Sequence, residues 1–200
     1  LVRAARAFQE AGAVEELVVV VRPGQEARAA ALLRGLALPV RVVAGGARRR
    51  DSSLAGVEAA RGEIVLIHDA ARPLVSPELI RRVRAAAERH GAAVPVLPVV
   101  DTLRYVEDGF LRPEVVPRPG LVAMQTPQAF RRELLLAALR ECDVDLPDDA
   151  AALLARGLPV AAVPGDPRNL KLTYAEDLVL AQALLAGPGR DGPDASRGSP

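Results

Sequence analysis

Four short apolar runs punctuate the first hundred residues, and helical patterns separate them. Residues 16–21 read Glu-Leu-Val-Val-Val-Val, 40–43 Val-Arg-Val-Val, 64–67 Ile-Val-Leu-Ile, and 92–99 form a longer apolar stretch broken by two prolines. Runs this rich in β-branched residues and this poor in polar ones suit strands covered on both faces. The segments between and before them, 1–12, 25–35, 52–60 and 77–90, carry helical spacing. The last has clear start signals, with Ser76 as N-cap, Pro77 in the first helical position and Glu78 beside it. Strand and helix alternating in this way imply right-handed crossovers. The expected fold is therefore α/β, a three-layer, mostly parallel, Rossmann-like sheet with helices on both faces.

The pattern changes after residue 100. Asp108-Gly109 sits between two segments that read as strands, 103–107 and 110–116, which is a two-residue hairpin signal. Pro113, Pro117 and Pro119 confine those strands to an edge. The residues alone fit a projecting arm that grips a second subunit and an ordinary surface hairpin equally. Helices are expected at 131–141 and 147–156, a short strand at 159–163, and a closing helix from Thr173 with the capping pattern Thr173-Tyr-Ala-Glu176. From Gly187 the Gly-, Pro- and Asp-rich sequence can bury nothing and is expected to form a disordered tail. The expected division is a main domain over 1–186, with the arm at 101–120, and a tail over 187–200.

Composition removes several classes of function. The 200 residues are 50% hydrophobic with a net charge of +1, which suits a globular domain and argues against a nucleic-acid-coating protein. No apolar run reaches eighteen residues, and residues 1–12 have no signal-peptide pattern, so neither membrane nor export is expected, and a cytoplasmic location is the default. Cys142 is the single cysteine, which excludes an internal disulfide. Of the 26 basic residues only Lys171 is a lysine. The chain begins at Leu1 inside a helical pattern, and a preceding segment is expected.

In parallel α/β sheets ligands bind beyond the carboxyl ends of the strands. After 40–43 come Gly45, Gly46, Arg48, Arg49, Arg50, Asp51 and Ser52, where glycines, guanidinium forks and a helix start capped by Asp51 or Ser52 suit an anion. The same residues also fit a plain turn and a solvent-facing helix. After 64–67, Asp69 is placed to hold Mg²⁺ on a bound nucleotide, and Ala70 and Ala71 let a ligand lie close to the backbone. His68 reads as a packed, hydrogen-bonded residue without a catalytic role. Lys171 lies between apolar neighbours ahead of the last helix and offers a compact charge where an arginine fork would not fit.

Taken together, these segments resemble the 2-C-methyl-D-erythritol 4-phosphate cytidylyltransferase family, over residues 1–185. The carriers are Gly45-Gly46 with Arg49-x-Asp51-Ser52, His68-Asp-Ala-Ala-Arg-Pro73, Asp101-Thr102, Arg118-x-Gly120-Leu121, Thr126-Pro-Gln128 and Asn169-Leu-Lys171-Leu-Thr173. The resemblance implies a nucleotidyltransferase that joins CTP and the sugar-alcohol phosphate and releases pyrophosphate, with Mg²⁺ as cofactor. It implies Gly45, Gly46, Arg49, Ser52, Asp69 and Ala70 at the nucleotide, and Asp69 at the metal. Arg72, Thr102, Arg118, Thr126 and Lys171 would hold the sugar phosphate, with Lys171 and Arg118 as the catalytic pair. Arg118 would reach the neighbouring subunit's site, which favours the arm reading and a homodimer.

Three departures accompany the resemblance. The family's N-terminal strand and glycine-rich loop, whose basic residues contact the triphosphate, would lie upstream of Leu1. Ala47 stands where an acidic residue is common. Pro147-Asp148-Asp149 replaces a Thr-Asp-Glu type segment. A related enzyme acting on ribitol 5-phosphate and a non-catalytic nucleotide-binding module are the alternatives. A dinucleotide-dependent oxidoreductase is disfavoured, because no Gly-x-Gly-x-x-Gly follows an expected strand.

Overall fold

A computed structural model describes residues 1–187; most of the expected tail, from residue 188, lies outside the described residues. The chain runs α1 (Val2–Ala11), β1 (Leu17–Val21), α2 (Glu26–Leu33), β2 (Val40–Ala44), α3 (Arg49–Ala59), β3 (Ile64–Ile67), α4 (Pro77–His90) and β4 (Ala92–Pro98). It continues through β5 (Arg104–Glu107), β6 (Phe110–Val115), β7 (Val122–Met124), β8 (Gln128–Arg131), α5 (Arg132–Glu141), α6 (Ala150–Leu154), β9 (Ala161–Pro164) and α7 (Ala175–Ala186). The α/β alternation is as expected through β4.

The central sheet has helices on both faces, and its strands sort their side chains accordingly. Ile64, Leu66, Ala93 and Ala129 join α1 and α4 in one core, around Phe8, Leu79, Ile80 and Val83. Their sequence neighbours Val65, Ile67, Ala92, Val94 and Phe130 face the other way, against α3, α5 and α6, around Val57, Leu135, Leu139 and Leu153. This period-two alternation is what a three-layer arrangement demands of a strand apolar on both sides.

In the central sheet β3, β4 and β9 run in one direction, as the mostly parallel expectation has it, and β7 and β8 run against them. β1 and β2 are parallel, as are β4 and β9. β8 is inserted antiparallel between β3 and β4, pairing Val65 with Phe130 on one side and Ala92 with Phe130 on the other. β7 then continues along the same side of β4, pairing Val96 with Met124. β7 and β8 thus form one interrupted strand, joined through Gln125, Thr126 and Pro127; the Thr126–Pro127 peptide is cis. Residues 128–131 had no strand signal, because a four-residue segment holding a glutamine and an arginine shows no apolar run.

Among the described residues β1 pairs only with β2, and β3 pairs only with β8. Their remaining edges border a cavity of about 1100 Å³, lined by Leu17–Val21 and by residues 64–70. That opening explains why β1, expected to be covered on both faces, is only half-buried throughout.

Element ends differ from expectation where a side chain reaches across the start of a helix. α3 begins at Arg49 rather than Ser52, with Arg48 as the flanking residue, and the Asp51 carboxylate accepts from the Arg48 backbone N–H at 3.2 Å. α6 is shorter than expected, and Asp148 accepts from the Ala151 N–H at 3.0 Å at its start. In α7 the capping carboxylate is Asp177 rather than Glu176; it accepts from the N–H groups of Thr173 and Tyr174 at 2.7 and 2.8 Å. Each such bond satisfies a donor the helix itself leaves orphaned.

The hairpin of β5 and β6 is present and exposed along its whole length. Asp108 and Gly109 take φ values of 50° and 82°, the left-handed pair that a tight hairpin with matching twist requires. Tyr105, Val106, Phe110, Leu111 and Val115 all lie on its exposed surface. Among the described residues no helix is long and apolar enough to cross a membrane.

Candidate functional site

A polar cavity of about 250 Å³ lies where the carboxyl end of β3 meets the break between β7 and β8. It is lined by Arg49, Asp69, Arg72, Thr126 and Lys171, all singled out from sequence, together with Gln125, Gln128 and Asp148. Residues 49, 69, 126 and 171 come from four separate stretches of chain, so only the fold makes them one site.

Asp69 is at the centre of the charge arrangement. Its Oδ2 lies 3.1 Å from Lys171 Nζ and 3.9 Å from Arg72 Nε. The second distance is an ion pair without a hydrogen bond, and Arg72 Nε is accordingly buried with no hydrogen-bond partner. Arg72 is otherwise held by donating from Nη1 to the Asn169 carbonyl at 2.8 Å. Burial lowers the guanidinium's pKa from its ordinary value, and the Asp69 charge opposes that shift. Two cations therefore converge on one carboxylate, and a phosphate arriving in the cavity would meet both.

The turn that carries Asp69 and Arg72 is braced from behind by His68. One ring nitrogen, Nε2, is 3.0 Å from the Arg72 carbonyl, and the other, Nδ1, is 3.0 Å from Thr126 Oγ1. A carbonyl can only accept, so the tautomer carries its proton on Nε2, and Nδ1 accepts from the Thr126 hydroxyl. Thr126 Oγ1 in turn accepts from the Asp69 backbone N–H at 3.1 Å. Sequence alone suggested a packed histidine, and the structure gives it this bracing role.

Burial pushes the His68 pKa down to about 4, although its bond to the Arg72 carbonyl and the charge of Asp69 work to raise it. Between that value and an ordinary 6.5 the unfolded chain binds a proton that the folded chain does not, so stability falls as pH drops through this window and is fully kept above it. One proton over the 1.5 units from pH 6.5 down to pH 5 amounts to about 2 kcal/mol. Urea midpoints at pH 7 and pH 5 should therefore differ by more in the wild type than in His68→Gln. Equal pH sensitivity would remove His68 from the account.

Gly45 and Gly46 form the tight approach to α3. A Cβ on Gly45 would stand 2.6 Å from Ser52 Oγ, and one on Gly46 2.3 Å from Asp51 Cβ. Neither position has room for a side chain. Ser52 and Ala70 line the larger cavity beside β1 and β3, and Arg49 and Asp69 border both cavities. Of the residues that the resemblance places at the nucleotide, Arg49 and Asp69 thus border both spaces, Ser52 and Ala70 the larger one, and Gly45 and Gly46 line neither.

Thr102 and Arg118 lie apart from this group. Both are exposed at the base of the arm, and Arg118 donates from Nη1 to the Val100 carbonyl. Within one chain they do not line the polar cavity. Gln125, Gln128, Asp148 and Asp149 were not assigned from sequence. Their signal was faint: two acids after Pro147 at a helix start, and a Gln on each side of Thr126-Pro127.

Nucleotide-bound Mg²⁺ needs one or two carboxylates, with phosphate and water oxygens completing its shell. Asp69 and Asp148 supply that number in the polar cavity. Among the described residues no group of three or more His, Cys, Asp or Glu side chains is placed to hold a metal. The donor set therefore fits an ion that arrives with the nucleotide rather than a resident one.

Comparison with known proteins gives a consistent result. The family model for 2-C-methyl-D-erythritol 4-phosphate cytidylyltransferase matches residues 1–187. A bifunctional enzyme IspD/IspF from Anaeromyxobacter dehalogenans is 46% identical over 192 residues, covering 93% of this chain and 50% of the relative. The chain thus spans about half the length of that curated relative. A 2-C-methyl-D-erythritol 4-phosphate cytidylyltransferase from Acidobacterium capsulatum is 43% identical over 196 residues, covering 92% of this chain and 82% of the relative. The crystal structure of the enzyme of that name from Thermus thermophilus superposes with a TM-score of 0.79 at 41% identity, covering 92% of this chain and 87% of that one.

Proposed function

Because the chain belongs to the 2-C-methyl-D-erythritol 4-phosphate cytidylyltransferase family, we propose that it transfers CMP from CTP to 2-C-methyl-D-erythritol 4-phosphate. An oxygen of the sugar phosphate attacks the α-phosphorus of CTP, the α–β phosphoanhydride bond breaks, and pyrophosphate leaves. The products are 4-diphosphocytidyl-2-C-methyl-D-erythritol and pyrophosphate. The observation that carries this reading is the convergence of Arg72 and Lys171 on Asp69 in a cavity that Arg49 also lines.

The chemistry asks the protein for positioning and charge compensation rather than for a covalent intermediate. Lys171 and Arg72 hold the attacking phosphate, and Arg49 with the Gly45-Gly46 approach to α3 holds the nucleotide. Asp69 keeps the Lys171 ammonium at the mouth of the cavity until a phosphate takes its place. When bound, Mg²⁺ would be held by Asp69 and would offset the charge of the departing pyrophosphate.

The arm completes the reading. Its exposed apolar strip is unusual for a surface hairpin and suits burial against a second copy. Arg118 at the arm's base would then enter the neighbour's site, making the enzyme a homodimer with shared active sites. Pyrophosphate release measured with CTP and each sugar phosphate tests the reaction. Faster turnover with ribitol 5-phosphate than with methylerythritol phosphate would overturn the substrate assignment, and release with neither would overturn the activity.

A mixing experiment tests the shared site. Arg118→Ala should raise the KM for the sugar phosphate about tenfold or more, with little change for CTP, since one charged contact is lost. Mixed with inactive Asp69→Asn chains and allowed to exchange, it should recover a fully wild-type site in each mixed dimer. Absence of recovery would place Arg118 in its own chain's site.

A further inference from the structure

We propose that Asp149 and Gln128 are positioning residues that aim Arg49 at the nucleotide, an inference that rests on the cytidylyltransferase reading. Arg49 stands in the first turn of α3, where a long side chain on a helix start is free to swing into water. Here it is captured instead. Its Nη1 and Nη2 donate to Oδ1 and Oδ2 of Asp149 at 3.2 and 2.5 Å, a two-pronged pair across 100 residues of sequence. The Asp149 side chain is 1% exposed while that of Arg49 is 36% exposed, so the carboxylate is the fixed partner and the guanidinium the one that is aimed.

Asp149 is itself held in place from β8. Gln128 is fully buried, and its single Oε1 accepts from the N–H groups of both Asp149 and Ala150, at 3.2 and 3.1 Å. The two donors are orphans at the start of α6, so the bonds satisfy the helix and locate its first residues together. A guanidinium has five N–H donors in a rigid fork. Two go to Asp149, and among the described residues none of the other three has a protein acceptor. Arg49 itself borders both cavities that Asp69 also lines.

A lysine at position 49 could not be directed in this way, because an ammonium presents no second edge once its first is engaged. The chain Gln128–Asp149–Arg49 therefore converts a flexible cation into a preorganised donor, and it costs the enzyme no reorganisation when the triphosphate binds.

The test uses Asp149→Asn, Gln128→Ala, Arg49→Ala and the Asp149→Asn/Arg49→Ala double variant in the full-length protein. Asp149→Asn should raise the KM for CTP about tenfold, for one weakened charge-assisted contact, while kcat and the KM for the sugar phosphate stay within about twofold. Gln128→Ala should move the same parameter in the same direction and covers the case in which Asp149→Asn fails to fold. In the double variant Asp149→Asn should add nothing to the effect of Arg49→Ala, because the residue it positions is gone. Multiplying effects, equal changes in both KM values, or a lowered Tm with unchanged KM would overturn the proposal. Calorimetric Kd values for CTP carry the same comparison if the wild type shows no turnover, an outcome that would overturn the cytidylyltransferase reading by itself.

Discussion

Asp69→Asn should lower turnover a hundredfold or more, which corresponds to about 2.7 kcal/mol of lost transition-state stabilisation, and should leave the fold intact. The substitution keeps the shape of the side chain and removes the one negative charge on which Lys171 and Arg72 converge, at 3.1 and 3.9 Å. Those two cations then face each other uncompensated, and the carboxylate oxygen that would hold Mg²⁺ is replaced by an amide. Stability should fall only modestly. The half-exposed Lys171 pair contributes about 0–1 kcal/mol, and the largely buried Arg72, which loses the charge opposing its burial, keeps its bond to the Asn169 carbonyl. Steady-state pyrophosphate release and a thermal melt separate the two effects. Turnover within threefold of wild type would exclude Asp69 from the chemistry. A collapse of Tm would make its role structural.

The largest effect on stability is expected at Phe130. Phe130→Ala should cost about 3–5 kcal/mol, the usual range for emptying a fully buried aromatic site, and lower Tm by about 6–20 °C in a chain of this length. Phe130 has no exposed surface and sits in β8, between Val65 of β3 and Ala92 of β4. It packs in the core with Val57, Leu135, Leu139 and Leu153, and no other aromatic side chain is part of that cluster. Aliphatic neighbours held by a sheet on one side and α5 on the other cannot close over a gap of that size. Leu32→Ala supplies the contrast, since Leu32 stands on α2, away from the arm, and is 54% exposed. Comparable losses from the two substitutions would show that β8 is not the centre of the core.

Much of the framework was legible because it depends on local signals. The β-branched runs gave β1 to β4 within a residue or so, Ser76 and Pro77 gave the start of α4, and Asp108-Gly109 gave the hairpin turn. What escaped depended on partners distant in sequence. β8 is a strand because β3 and β4 need something between them, and its buried Gln128 is tolerated because α6 supplies two donors for it. α3 starts early because Asp51 reaches back to Arg48, a bond that places Arg49 in the first turn of the helix.

The site divides along the same line. Asp69, Arg72, Thr126 and Lys171 could be named because each stands in a short motif, and the fold brings all four to one cavity. The groups that aim them could not. His68 meets Thr126 across 58 positions, and Arg49 meets Asp149 across 100. No spacing rule encodes such pairs, since they exist only after the sheet has formed.

The insertion of β8 between β3 and β4 also sets an order of events during synthesis. β3 and β4 are made early and lie close in sequence, yet they share no ladder; each bonds to residues 128–131. A ribosome-bound chain ending before β8 therefore exposes two strand edges with nothing to join them, and the loop that must close spans over sixty residues from β3. Long-range pairing of this kind slows folding and leaves edges open to other chains. The central sheet closes across β3 and β4 only when residues 128–131 have emerged.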